Sequence, residues 1–513
     1  MDRQKTRGQW WLLSVLCLAT LVVSLDITIL NVALPTISDS LHADTAELQW
    51  IVDSYSLAFA GAMLPAGLLG DRYGRKRVLL VGLGIFAVAS VWSALADSTG
   101  ALIAARTLMG GGAAIVMPLT LAFVAATFSG EDRPKAIAVI TAAIAGGLPL
   151  GPIVGGFLLE HFYWGSVFWI NVPVVAVAVA AGLVLLRESR NPAARRLDVP
   201  GALLAVAGIV AVIYGFISAP EVGWGSPRTV GLLAGSVVLF VAFVLWERRT
   251  QDKLVDPALF RNARFTWGTM AAVAVSVALF GVLFVVPQFL QAVHGHDAFG
   301  TGLRLVPLMG GLLVAGGVAG PVDKLIGTKI TVLLGLLVLA AGLVVLAQVT
   351  ADSGYGAVAT GLTLCGIGIG AAMAPAMDAV TAEVGDEAGA GAAVTNTLRQ
   401  VGGALAVAVL GSVMSGVYTD RLGGALTGVP DEAAEAARES VMGAVAVADG
   451  LGAQGAPLRE AAGAAFADAM GTVMLSCAGV VLAGALLCLL FLPARASGAS
   501  ATLVTADSPA VAG

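Results

Sequence analysis

Three charged side chains stand inside apolar stretches of this chain: Asp26 in LDITILNVALP (25–35), Asp53 in WIVDSYSLAFA (50–60) and Arg106 in LIAARTLMGGGAA (102–114). An ionised residue at the centre of a membrane helix costs about 2.5–3.5 kcal/mol, so it is functional by default. Counted at 1.5 Å per residue, all three lie ~8–14 Å below one membrane boundary. Desolvation and a nearby guanidinium act on a carboxyl in opposite senses, so a carboxyl–arginine site that changes shape can load and release a proton. Asp26, Asp53 and Arg106 are therefore the candidates for proton coupling; a static ion pair is the competing reading. Phe280 and Phe284, with Met373 and Met377, could line an apolar pocket, and core packing is the alternative for each. His294 and His296 share a loop with Asp297 but supply too few ligands for a metal, and none is expected. With no GxxxxGK[ST] nucleotide loop in the sequence, the energy source expected is an ion gradient.

The elements that must hold these residues follow from composition. The chain has 513 residues, 58% of them hydrophobic and only 12% charged, where soluble proteins run near one-quarter charged. This is an all-α polytopic membrane protein embedded in the lipid bilayer, and no basic tract invites nucleic acid. A ~30 Å hydrocarbon core needs about 20 apolar residues per helix. That rule predicts fourteen spans, near 10–33, 48–69, 78–96, 101–127, 136–158, 166–186, 200–219, 228–246, 265–290, 300–322, 330–349, 355–379, 389–418 and 469–492. With both termini cytoplasmic, 21 of the 28 Lys and Arg residues fall in cytoplasmic segments and 5 outside, as the positive-inside rule requires. All nine Trp lie at or near predicted span ends. Arg3, Lys5 and Arg7 precede an apolar run longer than a signal-peptide core, so the N-terminus is expected to remain as the first span. Cys17, Cys365, Cys477 and Cys488 read as packing residues.

The predicted organisation is a six-helix bundle over 1–187, a cytoplasmic linker with two extra helices over 188–263, a second six-helix bundle over 264–493, and a disordered cytoplasmic tail over 494–513. The second bundle is expected to carry one long outside loop, 419–468, with a surface helix over 431–441. GLLGDRYGRKR (67–77) and GPVDKLIGTK (320–329) form a faint internal repeat, which fits two related bundles rocking about a midplane site.

Several strings carry a family resemblance. GDRYGRKR with Gly67 resembles the GxxxDRxGRR loop pattern of the major facilitator superfamily, matched by Gly67, Asp71, Arg72, Gly74, Arg75 and Lys76. GGLPLGPIVGG (146–156) resembles the GxxxGPxxGG pattern of its antiporters, matched by Gly147, Gly151, Pro152, Gly155 and Gly156. Residues 25–35 resemble the LDxTxxNVALP marker of the fourteen-helix drug:proton antiporters through Asp26, Thr28, Asn31 and Pro35. The Arg106 string resembles RxxxGxGxA, with Met109 where the pattern often has Gln. WGSVFWINVP (164–173) resembles WRWxFxINVP, with Gly165 and Ser166 in place of Arg and Trp, and NTLRQVGGALAVA (396–408) resembles the span-thirteen pattern.

The resemblance implies a major facilitator fold of two six-helix bundles plus two added helices. It implies alternating access, proton coupling through Asp26 and Arg106, a cytoplasmic gate at residues 67–75, and an antiporter helix at 146–156. Asn31 and Arg399 join the candidate pocket; for Arg399 a structural pairing is an equal reading. The expected function is proton-coupled efflux of lipophilic or cationic drugs or antibiotics across a bacterial cytoplasmic membrane, by a monomer with no enzymatic activity and no cofactor besides the proton. The alternatives are a dedicated exporter of one endogenous metabolite or self-made antibiotic, a non-transporting sensor or scaffold, and an uptake symporter, against which residues 146–156 argue.

Overall fold

The computed structural model describes residues 2–41, 43, 45–128, 132–189, 198–250, 257–384, 388–426 and 429–493. The tail expected over 494–513 and most of the linker expected after residue 189 lie outside them, as do the side chains of Asn31, Asp71 and Pro152. Among the described residues every regular element is a helix. The first bundle comprises α1 (Asp2–Leu41), α2 (Thr45–Tyr73), α3 (Arg75–Ala94), α4 (Thr99–Thr127), α5 (Asp132–His161), the single turn α6 (Ser166–Trp169) and α7 (Asn171–Leu185). Two helices follow as a hairpin, α8 (Val199–Val222) and α9 (Pro227–Glu247). The second bundle comprises α10 (Ala263–Gln288), α11 (Ala298–Arg304), α12 (Val306–Ile326), α13 (Thr328–Ala347), α14 (Tyr355–Val384), α15 (Ala388–Leu422), α16 (Asp431–Glu439), α17 (Val441–Gly450) and α18 (Ala456–Phe491).

Among the described residues, 12 helices are long and apolar enough to cross a membrane. Helices α2 and α5, of 29 and 30 residues, have the length but are outside those 12. Each bundle has its own buried core, one built on residues such as Leu16, Ile29, Phe86 and Phe168, the other on Val282, Phe289, Leu336 and Phe466. Between them, Ile209 and Ile213 of α8 pack with Leu57 of α2 and Ala408 of α15. The outward faces of α7 and α9 expose Val177, Leu183, Val184, Val237, Val238 and Val241. Such apolar exteriors suit hydrocarbon, where every backbone group must be satisfied within its own helix.

Helix starts obey local chemistry. Asp198 accepts from the Gly201 amide at 3.0 Å and from the Trp246 indole at 2.9 Å, which caps α8 and ties it to the end of α9. Ser226, followed by Pro227, accepts from Thr229 at 3.2 Å and opens α9.

The sixth and tenth spans run over Ser166–Leu185 and Phe299–Ile326, each with one turn residue, Ile170 and Leu305, shortly ahead of Pro173 and Pro307, which have no amide hydrogen to give. One sequence expectation needs correction. Residues 419–468 are not a long loop. Helix α15 runs to Leu422, α16 and α17 pack on the second bundle as a cap, and α18 begins at Ala456. Ala434, Ala437, Val441, Ala444 and Ala448 all join the second core, and Tyr418 donates its hydroxyl to Ala437 O at 3.1 Å. The acidic, Ala/Gly-rich composition reads as solvated loop, but alanines spaced three and four apart make a narrow apolar stripe on a strong helix former.

The packing of α5 on α1 is the tightest feature bearing on the candidate site. Gly147, Gly151 and Gly155 lie four residues apart, so they share one face of α5. A Cβ on Gly147 would meet Ser24 Cβ at 2.7 Å, one on Gly151 would meet Ile29 N at 2.8 Å, and one on Gly155 would meet Ile29 Cγ1 at 2.8 Å. Gly156 is buried, whereas a Cβ on Gly146 would meet nothing within 4 Å. Overpacking of this kind costs about 1–3 kcal/mol or more. Gly151→Val should therefore lower the unfolding temperature in detergent by several degrees, and Gly146→Ala should leave it unchanged. Equal effects of the two would show that the seam is not close-packed.

Candidate functional site

Asp26 on α1 is 0% exposed and Arg106 on α4 is 1% exposed. They form an ion pair, Arg106 Nη1 to Asp26 Oδ2, at 2.6 Å. Two neighbours complete the acid's surroundings. Asn171 Nδ2, at the start of α7, donates to Asp26 Oδ1 at 3.2 Å and to Ser90 Oγ on α3 at 3.1 Å, one hydrogen to each. Ser90 in turn donates to Phe168 O at 2.8 Å. Asn171 opens α7 two residues ahead of Pro173 and lies beside α3.

The guanidinium is held on its other edges. Arg106 Nε donates to Ile51 O at 3.3 Å, and Nη1 lies 3.7 Å from Met109 Sδ. Its carbon sits 4.3 Å from the Tyr55 ring centroid, a cation–π contact inside a dry bundle. Gly110, one turn along α4, brings the two helices this close: a Cβ there would meet the Tyr55 carbonyl carbon at 3.0 Å. The hydroxyls of Tyr55 and Ser24 and the side-chain oxygen of Asn171 are buried with no hydrogen-bond partner. A network with spare buried acceptors and donors around a carboxylate is one that can rearrange.

Asp53, two residues beyond Ile51 on α2, is partly exposed, whereas Asp26 and Arg106 are fully buried. The structure thus brings together Asp26 and Arg106. It adds Asn171, Ser90 and Tyr55, which sequence reasoning missed. The Asn in INVP, just before a helix-breaking Pro, was the one available signal.

At the turn between α2 and α3, Gly74 has φ 109°, a region that L side chains rarely adopt, and a Cβ there would meet Glu188 Oε1 at 2.6 Å. Arg75 N donates to Ser189 O at 3.0 Å, Lys76 N to Glu188 Oε1 at 3.1 Å, and Lys76 Nζ to Leu183 O at 2.7 Å. Arg77 lies 3.7 Å from Glu188. Glu188 therefore sits at the α3 N-terminus, where a negative charge is favoured. Arg72 is exposed and stacks over Tyr73, and Gly67 lies against Pro118 of α4.

In the second bundle, Arg399 Nε donates to Ser276 Oγ at 3.1 Å and Nη1 to Asn396 Oδ1 at 3.0 Å. Phe280 packs over Gly403, where a Cβ would meet its ring at 2.6 Å, and Phe284 lies near Gly411. Phe284, Met373 and Met377 are half-buried against the second core. A separate groove runs along α1 past Trp10, Leu13, Cys17 and Leu21 to Val139 of α5, and none of the expected pocket residues line it. Among the described residues no cluster of His, Cys, Asp or Glu could hold a metal ion.

Residues 16–407 match the sequence model of the Major Facilitator Superfamily. The chain belongs to the major facilitator superfamily. Similar proteins include the tetracenomycin C resistance and export protein of Streptomyces glaucescens, 35% identical over 93% of this chain and 91% of that protein. The puromycin resistance protein pur8 of Streptomyces alboniger is 38% identical over 80% of this chain and 82% of its own. The multidrug efflux pump LfrA of Mycolicibacterium smegmatis is 32% identical over 94% and 96%. Among solved structures, a bacterial homologue of the human lysosomal transporter Spinster, inward-facing and unoccupied, shares the fold with a TM-score of 0.62 at 18% identity, over 96% of this chain and 99% of that one.

In this facilitator protein the buried pair generates a specific expectation. Removing one partner of a buried ion pair costs about 3–5 kcal/mol, because the other charge is stranded, whereas removing both can be nearly neutral. Arg106→Gln should strongly lower the unfolding temperature in detergent, and adding Asp26→Asn should restore most of it. A double variant as unstable as the single one would show that the pair is not the unit.

Proposed function

We propose that this chain exports lipophilic or cationic drugs or antibiotics from the cytoplasm in exchange for protons, by alternating access of its two bundles. The observation that carries the reading is a fully buried carboxylate paired with arginine in a facilitator protein whose relatives bear names of resistance, export and efflux. Protons entering from outside load Asp26 and weaken its bond to Arg106; substrate leaves outward, and the pair re-forms as the proton departs to the cytoplasm. Asp53, half-exposed on the neighbouring helix, is a second acceptor within reach of water.

The glycine face of α5 brackets Asp26: Gly147 packs against Ser24 and Gly151 against Ile29. Sliding at that seam changes the position of Asp26 relative to Arg106, which gives residues 147–156 a coupling role. The turn at 67–75, clamped by Glu188, is the cytoplasmic gate. In this reading α2 and α5 cross the bilayer with the other twelve helices, which makes fourteen spans. Residues 1–187 and 264–493 are the moving bundles, 188–263 joins them through α8, and both termini face the cytoplasm of a bacterial cell, with the monomer as the working unit.

Inward proton movement yields ~1.4 kcal/mol per pH unit and ~2.3 kcal/mol per 100 mV. One proton thus supports tenfold or greater accumulation. A second reading, export of a single self-made antibiotic, is favoured by the tetracenomycin C and puromycin proteins among the relatives.

Everted vesicles with an imposed proton gradient test both. Adding lipophilic cations and antibiotics should release protons with the wild type and not with Asp26→Asn at equal protein level. Undiminished release in the variant would refute the coupling role of Asp26, and the breadth of responding compounds decides between multidrug and dedicated export.

A further inference from the structure

Arg399 contrasts with Arg106. Both are arginines inside membrane-spanning helices, yet Arg106 has a carboxylate at 2.6 Å, whereas Arg399 has two neutral acceptors, Ser276 Oγ and Asn396 Oδ1, and no ion pair among the described residues. Ser276 is 1% exposed and spends its own proton on Ala272 O at 3.0 Å, so its oxygen is free to accept from Arg399 and it brings no charge. A guanidinium carries five N–H donors, of which two are taken here. A cation held at depth without compensation is costly and persists where something supplies the missing charge.

The surroundings define what that something is. Arg399 is only partly buried. One turn along each helix, Phe280 of α10 lies over Gly403 of α15, and Val273 fills the space at Gly402, where a Cβ would meet it at 2.8 Å. The close glycine contact fixes the aromatic ring one helical turn from the cation. An aromatic ring one turn from a guanidinium with spare, fork-shaped donors fits a planar apolar body that ends in a carboxylate or similar oxyanion.

We propose that Arg399, Ser276 and Phe280 form an oxyanion-accepting subsite, which extends the transported compounds to lipophilic acids. The inference rests on the reading of the chain as an exporter of small molecules. Asp26, a proton-coupling acid on the other bundle, has no part in the recognition.

The test is equilibrium binding, with no gradient, to the full-length protein in phosphatidylcholine nanodiscs. Pyrenebutanoate and its methyl ester are the probes, followed by fluorescence. Wild type should bind the acid at least about tenfold more tightly than the ester, the scale of a charged hydrogen bond. Arg399→Gln should erase that preference, with its unfolding temperature in detergent reporting that the variant is folded; Arg399→Lys should keep part of it. An acid-over-ester preference that survives Arg399→Gln, or no preference in the wild type, would overturn the proposal. Acid binding that phosphatidylglycerol in the nanodisc abolishes would reassign the subsite to a lipid headgroup and overturn the substrate assignment. Because proton release is not the readout, failure here leaves the coupling role of Asp26 standing, and failure of coupling leaves this subsite standing.

Discussion

The structure of the first bundle is organised around one ion pair in a medium that punishes unpaired charge. Asp26 and Arg106 come from different helices, are fully buried, and meet at 2.6 Å. The local architecture serves that contact. Gly110 lets α4 reach the α2 backbone, Ile51 O and the Tyr55 ring hold the guanidinium, and Asn171 at the start of α7 donates to the other carboxylate oxygen. Such a pair contributes little net stability against an apolar substitute, since desolvation offsets much of its Coulombic gain. In the proposed mechanism it is a two-state element: paired when the carboxyl is charged, loosened when it is neutral.

That element has a mechanical neighbour. The α5 seam touches α1 on both sides of Asp26 through residues without side chains, so the helices contact backbone to backbone. Packed glycine faces of this kind permit close approach in lipid, where no hydrophobic driving force acts between helices. On the far side, α8 bridges α2 and α15 through Leu57, Ile209, Ile213 and Ala408. The added hairpin is thus not a passive spacer. It contacts one helix of each bundle, where a relative rotation of the bundles would be felt.

Much of this was legible in the sequence, for identifiable reasons. Charges inside apolar runs are conspicuous, so Asp26 and Arg106 announced themselves. The glycine spacing in 146–156 disclosed a packing face. Packing was not legible: three residues at one depth look alike in the sequence, whereas Asp26 and Arg106 are fully buried and Asp53 is partly exposed. Neutral polar residues also escaped notice, because Asn171, Ser90 and Tyr55 carry no charge penalty to mark them. The helix expected over 431–441 is present as α16, but its packing and that of α17 are hard to read because acidic residues dominate the composition, while the buried stripe is built mostly from alanine, a weak hydrophobic signal. Glu188 was hidden by the basic residues around it.

The central claim is that Asp26 changes protonation with substrate occupancy. Infrared difference spectroscopy of the purified protein reads this directly, through the carbonyl stretch of a protonated carboxyl. The account predicts a band that grows as pH falls, is lost when a transported compound is added, and is absent from Asp26→Asn. A spectrum in which no band assignable to Asp26 responds to either pH or substrate would contradict it, and would leave the pair as a fixed structural strut.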